Sequence, residues 1–276
     1  MLVNPQQIIV NAQKGKYAIG CFNTSDLEMT KAIIKAAEVL NSPVIIATSE
    51  KAIEYAGLEP LSALIIQEAK STKVPIALHL DHGHSIAVIQ RCINSGYTSV
   101  MFDGSGSELR ENEILTRHAV ELAHHAGIPC EGELGCLGKA GVNQSKLTNP
   151  SDVVDFIQKT DVDFLAVSIG SEHGVGENEK LNIGLLKKIA KLTTIPLVLH
   201  GASGVKENDI QEAIKNGIAK INIDTDIRHT YAESLRATLK KYPEEEDPRE
   251  ILTKVIGEVQ RLVEDKIKLF GSSNKI

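Results

Sequence analysis

Residues 74–105 read VPIALHLDHGHSIAVIQRCINSGYTSVMFDGS. The stretch opens on an apolar run, 74–82, and closes on a second, TSVMFDGS at 98–105. Between them, 85–95 spaces its apolar residues as one face of a helix. Strand, helix and strand in that order predict two parallel strands joined by a crossover. Both strands are apolar until their last residues. The first then turns to Asp81 and His82, the second to Asp103. A charged carboxylate at the end of a buried strand must be paired or coordinated, because burying it alone is costly.

Working outward, the same unit recurs. Short β-branched-rich runs stand at 17–23, 43–49, 74–82, 98–105, 128–135, 163–170, 195–201 and 219–225. Helical periodicity fills 26–40, 61–70, 85–95, 108–125, 151–159, 183–192, 206–216 and 227–240. Start signals include Asn149-Pro150-Ser151-Asp152 and the acidic turn after Thr24-Ser25. Eight strand–helix units in a chain of 276 residues predict a single-domain α/β (β/α)8 TIM barrel spanning 1–276. A doubly wound open sheet is the runner-up, but no GxGxxG or P-loop pattern supports it. One helix is left over. EEEDPREIL (244–252) offers Asp247 as N-cap and Pro248 at the first helical position. The apolar stripe Ile251, Leu252, Val255, Ile256, Val259, Leu262, Val263 follows, and would pack on the barrel or on a second subunit. The tail GSSNKI is expected to fray.

Bulk properties narrow the function. A net charge of −6 gives no basic footprint for nucleic acid. No apolar run is long enough to span a bilayer, and the first residues lack the layout of a signal peptide. Cys21, Cys92, Cys130 and Cys136 are scattered with no CxxC pair, so reduced thiols and a cytoplasmic location are expected. With no Trp and few aromatics, the core must be built from Ile, Val, Leu and Ala.

Barrel enzymes carry their chemistry at the C-terminal strand ends. In chain order these ends bring Asn23, Ser49, Asp81 with His82, Asp103, Glu133, His173, His200 with Gly201 and Ser203, and Asn222 with Asp224 and Thr225. Three imidazoles with an open fourth position suit a catalytic Zn2+, and His82, His173 and His200 lie on three strand ends. The alternative is a set of unrelated, hydrogen-bonded histidines. His118, His124, His125 and His229 sit on helical segments; His79 is expected inside the barrel and His84 at the cap of the next helix. Asp81 is read as an acid/base or as a group orienting a ligand, against a plain N-cap for the helix from Ser85. Because neighbouring strand residues face opposite ways, Asp81 and His82 share a site only if the strand ends there. Glycines and hydroxyls in HGVG (173–176), HGASG (200–204) and NIDTD (222–226) suit phosphate at the usual position in this fold. No lysine stands at a strand end, and Lys220 is taken to begin the eighth strand on the wrong side.

Together, CFN (21–23), SPVIIATSE (42–50), ALHLDHG (77–83), SVMFDGS (99–105), EGELG (131–135), SIGSEHG (168–174), PLVLHGASG (196–204), KINIDTDIR (220–228), DPR (247–249) and KIKLFGSSNK (266–275) resemble the class II, zinc-dependent ketose-bisphosphate aldolases. The resemblance runs almost end to end. It implies His82, His173 and His200 as zinc ligands, with Glu133 and Asp103 able to meet the metal in an alternative position. It implies Asp81 as the acid/base at the C4 hydroxyl. Gly174, Gly201, Ser203 and Thr225 match the cradle of the C1 phosphate, and Asn222 and Asp224 substrate contacts beside it. Asn23 and Ser49 line the second half of the site. Arg249 matches an arginine reaching the other phosphate from a neighbouring subunit, which makes a homodimer or homotetramer the expected assembly. Room remains for a monovalent cation beside Zn2+.

Two departures stand out. The family's loop glutamate after ELG has no counterpart in ELGCLGKAGVN (133–143), and Gly106 stands where a histidine often follows DGS. Glu172, Glu177 and Glu179 are the substitutes on offer for the missing proton carrier. The implied reaction is cleavage of a ketose 1,6-bisphosphate, fructose first, into dihydroxyacetone phosphate and glyceraldehyde 3-phosphate in glycolysis and gluconeogenesis. Tagatose bisphosphate or another phosphorylated ketose is the alternative. A non-catalytic sugar-phosphate-binding partner subunit rests only on the missing loop acid.

Overall fold

The computed structural model describes residues 1–138, 145–172, 174 and 180–276. The chain runs α1 (Gln6–Gly15), β1 (Ile19–Asn23), α2 (Leu27–Val39), β2 (Val44–Ser49), α3 (Glu50–Ala56), α4 (Leu58–Ser71), β3 (Ile76–Gly83), α5 (Ile86–Asn94), β4 (Ser99–Phe102) and α6 (Leu109–His125). It continues through β5 (Cys130–Leu134), α7 (Pro150–Thr160), β6 (Phe164–Val167), α8 (Ile183–Ala190), β7 (Leu197–Leu199), α9 (Glu207–Lys215), β8 (Ile218–Ile223), α10 (Thr225–Lys241) and α11 (Pro248–Phe270). The strands close in order into an all-parallel barrel, β1 pairing with β8.

Strand periodicity divides the core into two shells. Along β2, Ile45 and Ala47 belong to the barrel interior, while Val44 and Ile46 pack beneath the surrounding helices. Along β3, Ile76, Leu78 and Leu80 face the helices and Ala77 faces inward. The lower interior is filled by Ile19, Ile45, Met101, Phe164 and Val198. Ile9 and Ala12 of α1 join that cluster, so the first helix plugs the bottom of the barrel. The sequence reading lacks this helix: Ile8, Ile9 and Ala12 supply a helical face only a few residues long. The segment predicted at 61–70 is longer and breaks at Gly57, which adopts a positive φ between α3 and α4.

The leftover helix forms as expected at its start, Asp247 accepting from the backbone N–H of Arg249 with Pro248 in the first turn. Val255, Val259, Val263, Ile267 and Phe270 are buried, and α11 packs mainly on α2 and α10. The tail is not frayed. Asn274 N–H donates to the carbonyl of Leu40 (2.9 Å), and the Ser42 and Ser272 hydroxyls meet at 3.0 Å.

Candidate active site

A bulge answers how Asp81 and His82 come to share a site. Leu80 pairs with Val100 and Gly83 with Phe102, so β3 spends one residue more than β4 over the same span. His82 takes a left-handed φ of 50°, uncommon for a residue with a Cβ. The alternation is broken there, and both side chains line the cavity at the top of the barrel. That cavity, about 750 Å3, is also lined by Asn23, Ser49, Gly174, His200, Gly201, Ser203, Asn222, Asp224 and Thr225. Nearly every strand end singled out in the sequence therefore reaches one place.

Asp81 is not a helix cap. Its Oδ2 accepts from Asn23 Nδ2 and its Oδ1 from Asn222 Nδ2, both at 2.8 Å. Burial opposes its charge, but the His82 and His200 imidazoles and the Lys220 ammonium overcome this and bring its carboxyl down to about 2. The cap of α5 is Ser85, and the backbone N–H of His84 donates instead to Glu50. His79 lies inside the barrel, as expected, against the Ser99 hydroxyl.

The two described histidines are each fixed on one nitrogen. His82 Nδ1 donates to Asp103 Oδ2 at 2.7 Å, which leaves Nε2 on the side of Asp81, 3.9 Å from Oδ1. His200 Nε2 donates to Glu131 Oε1 at 2.7 Å, which leaves Nδ1 3.7 Å from the same Asp81 oxygen. A carboxylate behind each imidazole is the arrangement that orients metal-ligating histidines. One ligand atom from each of Asp81, His82 and His200 falls within 4.8 Å of the others. A second group, His82, Asp103 and Glu133, shares the His82 ring but meets it at Nδ1. The donor set of nitrogen and carboxylate oxygen fits a divalent cation such as Zn2+. Glu133 strengthens the fit, since its buried Oε2 has no hydrogen-bond partner among the described residues. Burial and the Asp103 carboxylate push its carboxyl up to about 8 against the pull of His82. His82 itself is held up to about 10, burial being outweighed by Asp81, Asp103 and Glu133. A cation taken up by its ring displaces that proton. His173 lies outside the described residues, as do Glu177 and Glu179.

The loops after β7 and β8 meet at the rim. Gly201 has a φ of 64°, and a Cβ there would lie 2.4 Å from the carbonyl oxygen of Glu172, so only glycine lets the loop after β7 approach the loop after β6. Ser203 Oγ accepts from the backbone N–H of Asp226 at 3.3 Å, which ties the short turn at 202–204 to the start of α10. Asp224 pairs with Arg228 across the first turn of that helix. Ser49 caps α3, accepting from Ala52 N–H. Arg249 is the exception. Its side chain is 87 % exposed and pairs with Asp247, and it does not line the cavity of its own chain.

Comparison with known proteins identifies the architecture. The profile of the family described as "Fructose-bisphosphate aldolase class-II" matches residues 3–275. The chain belongs to the class-II fructose-bisphosphate aldolase family. It is an aldolase, a lyase. A fructose-bisphosphate aldolase of Thermus caldophilus is 38 % identical over 304 residues, covering 99 % of both chains. A 6-phospho-5-dehydro-2-deoxy-D-gluconate aldolase of Shouchella clausii is also 38 % identical, over 275 residues, covering 97 % of this chain and 94 % of that one. Among solved structures, the YdjI aldolase of Escherichia coli K12 superposes with a TM-score of 0.90 at 35 % identity, covering 100 % of this chain and 99 % of the other.

In this aldolase two buried charges escaped the sequence reading. Glu131 stands behind His200, and Lys220 donates to Glu131 Oε2 and Asn222 Oδ1, both at 2.8 Å. Lys220 is therefore not on the wrong side. It is the third residue of β8, 1 % exposed, and points into the barrel beneath the site. Period two was the available signal: Glu131 shares a strand face with Glu133, and Lys220 with Asn222.

Proposed function

We propose that this aldolase is zinc-dependent and reversibly cleaves a ketose 1,6-bisphosphate, with fructose 1,6-bisphosphate as the first candidate, into dihydroxyacetone phosphate and glyceraldehyde 3-phosphate. The convergence of Asp81, His82 and His200, each with its own orienting partners, carries the reading. His82, His200 and His173 would hold the Zn2+, which when bound supplies Lewis-acid stabilisation of the charge developing on the ketose oxygens. Asp81 is ionised at neutral pH and takes the proton of the C4 hydroxyl as the carbon–carbon bond breaks. Asn23 and Asn222 keep its two oxygens in place. Asn23 Oδ1 is buried with no protein partner among the described residues, which leaves an acceptor for a substrate hydroxyl. The turn at 201–203, Gly174 and the N-terminus of α10 at Thr225 take a phosphate on backbone N–H groups and hydroxyls. The whole chain acts as one catalytic domain in a cytoplasmic homodimer or homotetramer, with Arg249 reaching the second phosphate of a neighbour's site.

A second substrate reading is another phosphorylated ketose, tagatose bisphosphate included; it draws on the Shouchella clausii relative, named for a different phosphorylated acid. Chelation is expected to abolish cleavage of fructose bisphosphate and added Zn2+ to restore it, while borohydride with substrate leaves the enzyme active. A lysine adduct trapped by borohydride would overturn the metal route. Kinetics on fructose and tagatose bisphosphates side by side decide the sugar.

A further inference from the structure

We infer that Lys220 is a positioning residue: its buried ammonium sets the orientation of both His200 and Asp81, the groups that the proposed function uses as ligand and as acid/base. Barrel interiors are ordinarily filled with branched apolar side chains, and a buried lysine is costly to desolvate unless it is well paired. Here it is paired with two groups that each lead to the site. On one side Nζ donates to Glu131 Oε2, and the other oxygen of Glu131 accepts from His200 Nε2. On the other side Nζ donates to Asn222 Oδ1, and Asn222 Nδ2 donates to Asp81 Oδ1. All five groups are at most 6 % exposed.

The second branch shows what the ammonium decides. An amide can turn over, presenting either its oxygen or its nitrogen to a neighbour. Lys220 has only donors, so it claims the oxygen of Asn222 and forces the nitrogen toward Asp81. Turned the other way, Asn222 would set an oxygen against a carboxylate. The first branch works alike. A carboxylate accepts only, so Glu131 fixes a proton on Nε2 of His200 and makes Nδ1 the nitrogen that faces Asp81. One cation thus links the two reactive groups across the barrel floor of the site.

This logic predicts an unusual double-variant pattern. In Glu131→Gln, Lys220 should claim the new amide's oxygen and turn its nitrogen toward His200. His200 must then accept at Nε2 and carry its proton on Nδ1. In Glu131→Gln/Lys220→Met the amide is free to turn back. Nitrogen-15 NMR of histidine-labelled protein reads the tautomer, and competition with a chromogenic chelator reads Zn2+ affinity. We expect the Nε2–H form in the wild type, the Nδ1–H form in the single variant, and return of Nε2–H in the double variant. Zn2+ affinity should fall by roughly 10–100-fold in the single variant and recover in part in the double, as for other partners behind metal ligands. If single and double variants share one tautomer and one affinity, Lys220 only balances charge and the inference fails. Should the single variant not fold, Lys220→Met alone decides. It keeps Glu131 as acceptor but frees Asn222 and the far oxygen of Glu131, so kcat should drop on the order of 10-fold or more while Zn2+ affinity falls by less than in Glu131→Gln. An unchanged kcat overturns the inference. The tautomer and affinity readouts do not depend on which ketose is cleaved, so an error in the proposed substrate leaves them standing.

Discussion

The barrel has a charged hollow at each mouth, and the two are built on different principles. The upper one, about 750 Å3, holds Asp81, His82 and His200, all buried or nearly so and each held by a buried amide or carboxylate partner. The lower one, about 630 Å3, is lined by Lys14, Lys16, Lys187, Lys191 and Lys215 with Thr193, Thr194 and Asn216. Its lysines are exposed and cluster where α1, α8 and α9 end. A helix C-terminus carries partial negative charge, and lysines there are its ordinary complement. Lys215 is further paired with Glu212 at 2.8 Å. The hollows are similar in size and both are lined by charged groups, so neither size nor the mere presence of charge tells the mouths apart. What separates them is whether each charge has a local reason to exist. Every lower lysine has one, and the buried upper charges are explained only by each other.

The largest effect is expected from Asp81→Asn. The side chain keeps its size but loses its charge, its capacity to take a proton and one of the two acceptors that meet Asn23 and Asn222, so turnover should fall by about 10²–10⁴ while Zn2+ and substrate still bind. Metal content by atomic spectroscopy alongside steady-state kinetics checks it. Loss of Zn2+ instead would make Asp81 a holder of the metal and transfer the proton role elsewhere.

Much of the upper mouth was legible because its residues close apolar strands. A run such as PLVLHGASG can be cut only one way, and the polar residue at its end falls on the rim. What escaped sits deeper. Glu131 is the second residue of β5, and Lys220 the third of β8, so both precede the end of their strand by three residues. A charge inside an apolar run reads as the edge of the run, and that is how Lys220 came to be set aside. Only the face-sharing of residues two apart would have put both inside. The bulge at His82 was illegible for another reason: HLDHGH carries no mark of which residue adopts the positive φ, since Gly83 beside it is the more natural choice. Helix α1 was missed because Ile8, Ile9 and Ala12 give it an apolar face only a few residues long.

Arg249 tests the comparison from the other side, since it is an exposed charge assigned a function. Its partner within the chain is Asp247, which accounts for it locally as fully as the lower lysines are accounted for. If it serves a neighbour's second phosphate, Arg249→Ala should raise KM for a bisphosphate on the order of 10-fold, with little change for a substrate bearing one phosphate. Sedimentation should give a dimer or tetramer. A fully active monomer would return Arg249 to the class of locally explained charges.

The smallest effect is expected at the lower mouth. Lys14, Lys187 and Lys191 changed together to Ala remove three charges from a hollow of about 630 Å3 without touching the residues around Asp81. If these lysines only complement helix C-termini, each contributes no more than about 0.3–1 kcal/mol, and screening by salt reduces even that. The triple variant should lose a little thermal stability at low ionic strength and regain most of it in concentrated salt. Its kcat and KM should stay within about 2-fold of wild type at either ionic strength, because α1 still plugs the barrel through Ile9 and Ala12, which the substitutions leave alone. A larger change in kcat, persisting in salt, would mean that the lower charges are felt across the apolar layer of Phe164 and Met101, and that the two mouths are not independent.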